Sequence, residues 1–334
     1  MVLLKKEMSC GNGNNPLSLN TPQKSKIKVY LSLENLYNID VRQLNKKRRD
    51  IQMAKELNCQ KVAQEIKDGV KKEIAENNLD LTLAVVLVGN DQASEVYVRN
   101  KEKVSSEVGI HSEVHRLPED TTQDELNALI KELNDSEKVT AILLQLPLPQ
   151  HLDGQQAIEL ISPNKDVDGL TLHNQGLLAV GNEEDAIIPC TPLGIVHLMD
   201  AIGYNVSGKH VTVLGRSNLL GKPMARLMMN RNATVSVCHS KTKRVDRDAL
   251  MQMSQVVISG IGQAKKIKFT YYFPTEVIID AGINKDKDGK LVGDIDTKTL
   301  PKTSQYTPVP GGVGLLTTAT LVENVIKCHK LQTK

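Results

Sequence analysis

The hydrophobic residues of this chain fall into two alternating patterns after a polar leading segment. Val62, Ile66, Val70 and Ile74 recur every four residues, a spacing that places them on one face of a helix. The next apolar stretch, 81–88, is short and continuous, which predicts a buried strand. Helix and strand patterns then alternate to the end of the chain.

The later segments continue this alternation. The predicted strands are 110–116, 139–144, 210–215, 234–238, 256–259 and 277–282. Six further helices are predicted: one that ends at Gly109, one that begins at Thr121 or Thr122, one that follows Pro192, one that begins at Gly221, one over 246–253 and one that follows the glycine-rich segment 307–314. Helices that alternate with continuous apolar strands are typical of parallel sheets covered on both faces. The sequence therefore predicts an α/β fold with two units joined near residues 190–200.

The first 52 residues differ from the rest of the chain. They hold ten Lys or Arg and four Asp or Glu, a net charge of +6, whereas the remainder carries a net charge of −3. No apolar run is followed by a cleavage site, so a secretory signal is not expected. We expect residues 1–52 to be a disordered leader or a stretch outside the functional protein. A mitochondrial presequence, which the four acids weaken, and a nucleic-acid- or membrane-binding basic run remain open alternatives.

Composition narrows the class of protein. Charged residues make up 24% and hydrophobic residues 40% of the chain, as in a soluble globular protein. No apolar run approaches the roughly 18 residues of a membrane span, so we do not expect a membrane among the partners of the protein. The mildly acidic remainder argues against nucleic acid as a partner. The five cysteines form no CxxC pair, which predicts free thiols in a reducing, cytoplasmic compartment and no metal site.

One strand–turn–helix segment suggests a dinucleotide site. Gly215 closes a strand and Gly221 opens a helix, where backbone N–H groups can face a pyrophosphate. The full GxGxxG pattern is absent, so a purely structural turn is an equal alternative. The tip of the following strand, 239–242, carries hydroxyls, including that of Ser240, and Lys241, but no acid for a ribose hydroxyl; Arg216 lies in the preceding turn. These residues favour NADP over NAD, unless Lys241 and Arg216 are only solvated surface charges.

A second candidate site lies on the helix that follows strand 81–88. Ser94, Tyr97 and Lys101 share one face of that helix, because Tyr97 and Lys101 come three and seven residues after Ser94. In open α/β sheets, ligands lie beyond the carboxyl ends of strands, where this face begins. Lys101 is therefore a candidate proton shuttle. From this helix alone, a surface lysine beside a half-buried tyrosine is the simpler interpretation.

Two further segments at strand ends support a ligand site. Gln145 follows strand 139–144, where its amide can both donate and accept hydrogen bonds. The loop 163–169 displays Asp166 and Asp168, and a single carboxylate there can accept two parallel N–H bonds from a planar ligand. A metal site and an ordinary turn are the alternatives for this acidic pair.

The chain resembles the methylenetetrahydrofolate dehydrogenase/methenyltetrahydrofolate cyclohydrolase family over residues 53–330. Seven ordered segments carry the resemblance: VGNDQASEVYVRNKEK, LLQLPLPQHLD, SPNKDVDGL, IPCTPLGI, GRSNLLGKPMA, DAGINKDKDGKLVGDID and TPVPGGVGLLT. The resemblance implies two α/β domains with parallel sheets and a cleft between them. The folate-binding catalytic domain would be 53–192, completed by the C-terminal helix 310–330, and the Rossmann-like NADP-binding domain would be 193–309. Tetrahydrofolate derivatives as ligands and a homodimer are also implied.

The resemblance further implies roles for individual residues. The implied catalytic residues are Lys101, Tyr97, Gln145 and Asp168. The implied cofactor-binding residues are Gly215, Arg216, Ser217, Ser240 and Ile283. The implied folate-binding residues are Ser94, Tyr97, Asp168, Gly311 and Gly312. One departure is Leu315, which stands where the family usually has proline, so the loop gains an N–H and loses a fixed φ.

The implied chemistry comprises two reactions. The first oxidises 5,10-methylenetetrahydrofolate to 5,10-methenyltetrahydrofolate with NADP⁺, and the second hydrolyses that product to 10-formyltetrahydrofolate. Hydride transfer depends mainly on positioning, whereas ring opening needs proton transfers, for which Lys101 is the candidate. A monofunctional dehydrogenase of the same family and a non-catalytic folate-binding protein are the alternatives.

Overall fold

A computed structural model of the protein describes residues 54–269 and 275–334. The leader 1–52, with the expectations attached to it, lies outside the described residues. Within the described ranges, no helix combines the length and apolar character needed to span a membrane.

Strands and helices alternate along the described residues, as the hydrophobic pattern predicts. The strands are β1 (Lys55–Glu56), β2 (Thr82–Val88), β3 (His111–Leu117), β4 (Ala141–Leu144), β5 (His210–Leu214), β6 (Thr234–Cys238), β7 (Val256–Ser259), β8 (Val277–Asp280), β9 (Asn284–Lys285), β10 (Leu291–Val292) and β11 (Gln305–Tyr306). The helices are α1 (Cys59–Asn77), α2 (Gln92–Val108), α3 (Gln123–Asp135), α4 (Gly154–Leu160), α5 (Leu172–Ala179), α6 (Cys190–Ala201), α7 (Gly221–Asn230), α8 (Arg244–Met253) and α9 (Val313–Thr333).

A three-stranded parallel sheet lies in the N-terminal half, in the order β3-β2-β4. All of β2 is buried, because its alternate residues pack into different cores. Leu83 and Val85 lie in a cluster with residues of α1, α2 and α9, whereas Ala84 and Val86 lie in a cluster with residues of α3 and α4. The continuous apolar run is thus explained by helices on both faces of the strand.

A six-stranded parallel sheet holds the C-terminal strands, in the order β1-β11-β8-β7-β5-β6. Strand β5 pairs with β6 on one side and with β7 on the other, so the winding direction reverses there. Such a reversal opens a crevice at the carboxyl ends of the strands, where α/β proteins bind nucleotides. The prediction of an α/β fold with two parallel sheets, the C-terminal one Rossmann-like, is confirmed.

Two features of the fold, one strand and one pair of helices, differ from the sequence prediction. Lys55 and Glu56, at the start of the predicted N-terminal unit, pair with Gln305 and Tyr306 and extend the C-terminal sheet. Helices α4 and α5 were also not predicted, because each spans fewer than three turns and leaves little hydrophobic periodicity.

The C-terminal helix α9 packs against α1, α2 and α6. Its residues Leu321, Val322 and Val325 are buried in the same cluster as Leu83 and Val85 of β2. The last helix therefore completes the core of the N-terminal sheet, although it follows the C-terminal sheet in the chain.

Candidate active site

Helix α2 carries three of the predicted site residues and starts directly beyond β2. Asp91 caps it: the Asp91 carboxylate accepts from the Ser94 backbone N–H at 2.8 Å and from the Ser94 hydroxyl at 2.7 Å. The helix ends at Gly109, whose φ of 94° is left-handed, as the predicted C-terminal stop requires. Ser94 is only 2% exposed, so its hydroxyl serves the helix cap.

Lys101 and Gln145 are joined by a hydrogen bond that connects α2 to the end of β4. Lys101 Nζ donates to Gln145 Oε1 at 3.1 Å. Gln145 Nε2 donates to the Leu146 carbonyl at 2.6 Å, which leaves the amide oxygen for the lysine. Gln145 is 8% exposed, so its amide is held by its surroundings. The ammonium group thereby has a fixed direction within the cleft.

The two aspartates of the loop 163–169 have different environments. Asp166 is 2% exposed, and its carboxylate accepts from Thr171 N at 2.8 Å and from Asn174 Nδ2 at 2.9 Å. Burial raises the pKa of Asp166 above its ordinary value. Asp168 is partly exposed and lines the cavity that contains Lys101. Asp168, and not Asp166, is therefore the carboxylate available to a ligand.

Two anchors hold this loop against the N-terminal sheet. Asp166 forms a parallel bridge with Ile142 of β4, so the loop runs beside that strand. The ammonium of Lys165, itself 8% exposed, donates to carbonyls near the end of α3. These carbonyls belong to Leu133, Asn134 and Ser136, at 3.2, 2.7 and 2.8 Å. Asp168 consequently lies at the same sheet edge as Gln145.

Asn324 of α9 is a further anchor that the sequence analysis missed. It is 2% exposed, and its amide donates to the Val167 carbonyl at 2.8 Å and to the Ile188 carbonyl at 2.9 Å. The thiol of Cys190 donates to Asp168 Oδ1 at 3.4 Å, and burial raises the pKa of that thiol well above its ordinary value. A lone asparagine inside an apolar helix was the available sequence signal, because a buried amide needs partners.

A cavity of about 340 Å³ brings the four predicted catalytic residues together. Its N-terminal side is lined by Tyr97, Lys101, Gln145 and Asp168. The cavity is also lined by Leu219, Ala281 and Ile283 of the C-terminal half and by Val313, Gly314, Thr317 and Thr318 of α9. Tyr97 is 43% exposed, so its ring is available to a ligand. The cleft predicted between two α/β halves is present at this position.

A neighbouring cavity of about 610 Å³ shares Tyr97 and Ile283 with the first. Gly311 and Gly312, the predicted folate-binding glycines, line this larger cavity together with Leu315. The Leu315 backbone N–H, which proline would lack, donates to the Gly312 carbonyl at 3.0 Å. Gly311 and Gly312 are thus near the first cavity but do not line it.

A third cavity, of about 410 Å³, lies at the point where the six-stranded sheet reverses its winding. It is lined by residues that follow β5, β6 and β7, including Gly215, Arg216 and Ser240. Gly215 has a φ of +119°, and a Cβ there would lie 2.7 Å from the Gly260 carbonyl oxygen, so only glycine fits. Ser217 lies in the same turn, where its hydroxyl accepts from Leu220 N at 3.2 Å.

The lining of this third cavity fits a phosphorylated cofactor. Arg216, Arg247 and Lys266 supply positive charge, and Ser240 and Thr242 supply hydroxyls. No Asp or Glu is among the described residues that line it. This donor set suits phosphate oxygens. Arg247 and Lys266 could not be identified from the sequence, because neither lies in the turns that carry the glycine pattern.

Two buried aspartates hold the loops that position Ile283. Asp294 is fully buried and accepts from Ile261 N at 2.7 Å and from Asn284 Nδ2 at 3.0 Å, so it connects the loops after β7 and β8. Asp280 accepts from the Asp294 backbone N–H at 3.0 Å, and burial raises the pKa of Asp280 to about 6. Ile283 is 50% exposed and faces the first cavity from this braced loop. Among the described residues, no cluster of His, Cys, Asp or Glu could hold a metal ion.

Two family profiles match this chain. The profile of the tetrahydrofolate dehydrogenase/cyclohydrolase catalytic domain matches residues 57–168. The profile of the tetrahydrofolate dehydrogenase/cyclohydrolase NAD(P)-binding domain matches residues 189–333. The first profile contains the Lys101, Gln145 and Asp168 positions, and the second contains the third cavity.

Individual relatives are similar over almost their whole length. The bifunctional protein FolD of Acetivibrio thermocellus is 44% identical over 285 residues, which cover 84% of this chain and 99% of the relative. The crystal structure of the bifunctional enzyme FolD, a methylenetetrahydrofolate dehydrogenase/cyclohydrolase from Campylobacter jejuni, gives a TM-score of 0.79 at 38% identity and covers 84% of this chain and 99% of its own. The Trypanosoma brucei enzyme, complexed with NADP cofactor and inhibitor, gives 0.79 at 32% identity with the same coverage.

Proposed function

This chain belongs to the tetrahydrofolate dehydrogenase/cyclohydrolase family, and we propose that Lys101, Gln145, Asp168 and Tyr97 carry its chemistry in the 340 Å³ cavity. The protein is an NADP-dependent methylenetetrahydrofolate dehydrogenase and methenyltetrahydrofolate cyclohydrolase. The observation that carries the assignment of residues is the Lys101–Gln145 hydrogen bond in the same cavity as the partly exposed carboxylate of Asp168.

Substrate binding begins with Asp168. Its carboxylate lies at the edge of the N-terminal sheet and can accept two parallel N–H bonds from the amidine-like edge of the pterin. The exposed ring of Tyr97 stacks on the folate rings, and aromatic stacking of this kind contributes about 0.5–1.5 kcal/mol beyond burial. Gly311 and Gly312 line the larger adjoining cavity, which accommodates the part of folate that extends past Tyr97.

The dehydrogenase reaction depends on how the cavity holds two reactants against each other. NADP⁺, when bound, supplies the hydride acceptor of this reaction. Ile283 lines the same cavity as Lys101, and the braced loop that carries Ile283 fixes its position on the Rossmann-like side. Positioning of this kind is the main contribution that a protein makes to hydride transfer.

The cyclohydrolase reaction adds proton transfers to the same cavity. Water adds to the carbon of the methenyl cation and loses one proton, which leaves a neutral carbinolamine. Its hydroxyl then loses the second proton as the C=O bond forms, while the carbon–N5 bond breaks and N5 gains a proton, so one proton is released overall. Lys101 lies in the cavity with its ammonium held by Gln145 and is the group that moves these protons. Gln145 keeps Lys101 directed at the reacting carbon and is a positioning residue.

The cofactor site is assigned to the 410 Å³ cavity and the turn beside it. Gly215 allows the close approach of backbone to the pyrophosphate, and Ser217 lies in the turn that precedes α7, where its hydroxyl accepts from Leu220 N. Arg216 and Ser240 face the 2′-phosphate. We accordingly assign residues 193–309 to the NADP-binding domain and residues 53–192, with 310–330, to the folate-binding catalytic domain.

A homodimer and a cytoplasmic location complete the proposal. Strand β6 is at the edge of the six-stranded sheet and pairs only with β5 among the described residues, while Val237 on it is 40% exposed. An exposed edge strand of this kind is a template for pairing with a second copy.

Four free, buried thiols in the described part of the chain support a reducing compartment.

Two parallel assays on the purified protein test the proposal. One measures oxidation of methylenetetrahydrofolate with NADP⁺ and with NAD⁺, and the other measures hydrolysis of methenyltetrahydrofolate directly. We expect both activities, with NADP⁺ preferred. A monofunctional dehydrogenase would show the first activity without the second, and a folate-binding protein would bind folate without either.

A further inference from the structure

We propose that Arg247 is a second guanidinium that binds the 2′-phosphate and determines the preference for NADP⁺ over NAD⁺, an inference that rests on the proposed cofactor site. Arg247 lies on α8, outside the glycine turn and the 239–242 tip that carry the nucleotide pattern. The side chain nevertheless lines the same 410 Å³ cavity as Arg216 and Ser240.

The strand order places Arg247 on the ribose side of this cavity. Strands lie in the order β6-β5-β7, and α8 follows directly from the tip of β6. In dinucleotide folds, the tip of this second strand meets the adenosine ribose at its 2′ position. Lys266 follows β7, which lies on the other side of β5 from β6. Arg247 is therefore the positively charged residue of α8 that is placed to bind the 2′-phosphate of the adenosine ribose.

Asp248 orients the Arg247 side chain before any ligand binds. Arg247 Nη2 and Nε both donate to Asp248 Oδ1, at 2.6 and 3.0 Å. A guanidinium has five N–H donors, so three remain for phosphate oxygens. The Arg247 side chain is 22% exposed, which also limits its freedom. A side chain ordered in advance loses less entropy on binding, so its contacts yield more affinity.

Arg244 provides a matched control on the same helix. It also pairs with Asp248, at 3.4 Å, but its side chain is 81% exposed and does not line the cavity. Replacing Arg244 by an uncharged residue also removes one positive charge, at a position three residues, or about one helical turn, from Arg247. A purely long-range electrostatic effect would therefore appear in both variants.

The test measures binding of two cofactor fragments by isothermal titration calorimetry, without catalysis. The fragments are 2′,5′-ADP, which carries the 2′-phosphate, and 5′-AMP, which lacks it. Arg247→Met should weaken 2′,5′-ADP binding roughly ten- to hundredfold, the range for a lost hydrogen bond to a charged group. It should leave 5′-AMP binding within about twofold, and Arg244→Met should leave both within about twofold. Arg247→Lys should restore part of the loss, because lysine keeps the charge but not the planar fork.

Three results would overturn the assignment. Unchanged 2′,5′-ADP binding in Arg247→Met would remove Arg247 from the site. Equal weakening of both fragments, with a lowered melting temperature, would make its role structural, and equal weakening in Arg244→Met would make the effect one of general charge. A different result would refute the proposed cofactor site as a whole: the unmodified protein would bind 2′,5′-ADP and 5′-AMP equally well.

Discussion

Lys101 Nζ donates to Gln145 Oε1 across 3.1 Å, and this bond joins a helix to the carboxyl end of a neighbouring strand. The two residues are 44 positions apart in the chain, yet the parallel pairing of β2 with β4 places both at one edge of the sheet. Both residues line the same cavity as Asp168, so one cavity holds the group that we propose for proton transfer and the carboxylate that we propose for pterin binding.

Substitution of Arg216 tests the choice of cofactor. Arg216→Ala should raise the KM for NADP⁺ roughly ten- to hundredfold, because a charged hydrogen bond to the 2′-phosphate is lost. NAD⁺ lacks that phosphate and is the internal control, so its KM should change little. Steady-state kinetics with both cofactors checks this. Equal activity of the unmodified protein with NADP⁺ and NAD⁺ would contradict the assignment.

Substitution of the two loop aspartates separates binding from structure. Asp168→Asn should weaken folate binding and lower both activities together, because asparagine accepts one N–H bond and offers a mismatched donor to the second. Its melting temperature should change little. Asp166→Asn should instead destabilise the protein by about 1–3 kcal/mol, the cost of an unsatisfied buried group. Folate titration and thermal unfolding of both variants decide the matter, and unchanged folate affinity in Asp168→Asn would refute the assignment.

Removal of the leader tests whether residues 1–52 are dispensable. A chain that begins at Met53 should fold and keep both activities, because it retains the pairing of Lys55 with Gln305 and the buried Leu57. A chain that begins at Cys59 should be less stable by about 2 kcal/mol, chiefly because the burial of Leu57 is lost. Thermal unfolding and both assays provide the comparison. If the first truncation abolished folding or turnover, the leader would have to be structural.

The pairing of His197 with Glu323 predicts a dependence of stability on pH. His197 on α6 and Glu323 on α9 approach to 2.8 Å, and this hydrogen bond raises the pKa of His197. The stabilisation is therefore fully present below the unfolded histidine pKa of about 6.5 and is lost as pH rises through the folded value. The unfolding free energy of the protein should exceed that of His197→Gln by more at about pH 5.5 than at about pH 9. An equal difference at the two pH values would exclude this linkage.

Much of the fold could be predicted because long apolar segments carry their own pattern. Strand β2 and helix α2 were predicted within a few residues, since a continuous apolar run and a glycine stop define them. Strand β1 could not be predicted, because Lys55 and Glu56 are charged and become a strand only by pairing with β11. Two residues cannot show a period on their own.

The site residues divide in the same way. Lys101, Gln145 and Asp168 were found because they follow strand ends or share a helix face, and the structure brings all three to one cavity. Asn324 could not be identified, because the Val167 and Ile188 carbonyls that it contacts are distant in the chain. Arg247 lies on α8, outside the turns that carry the glycine pattern. The binding role of Ser94 stays a prediction; in the structure its hydroxyl donates to the Asp91 carboxylate that caps α2.

Replacement of Lys101 by methionine tests the central claim most directly. The substitution keeps the length of the side chain and removes the amine, and both activities are measured on one purified variant whose folding is checked by its melting transition. Lys72→Met, at an α1 lysine that is 73% exposed, is the control and should change neither activity. We predict a loss of cyclohydrolase activity on the scale of about 10²–10⁴-fold, the usual contribution of general acid–base catalysis, and a smaller loss of dehydrogenase activity. Equal losses in the two reactions would mean that Lys101 mainly binds substrate, and full cyclohydrolase activity would exclude it as the proton-transfer group.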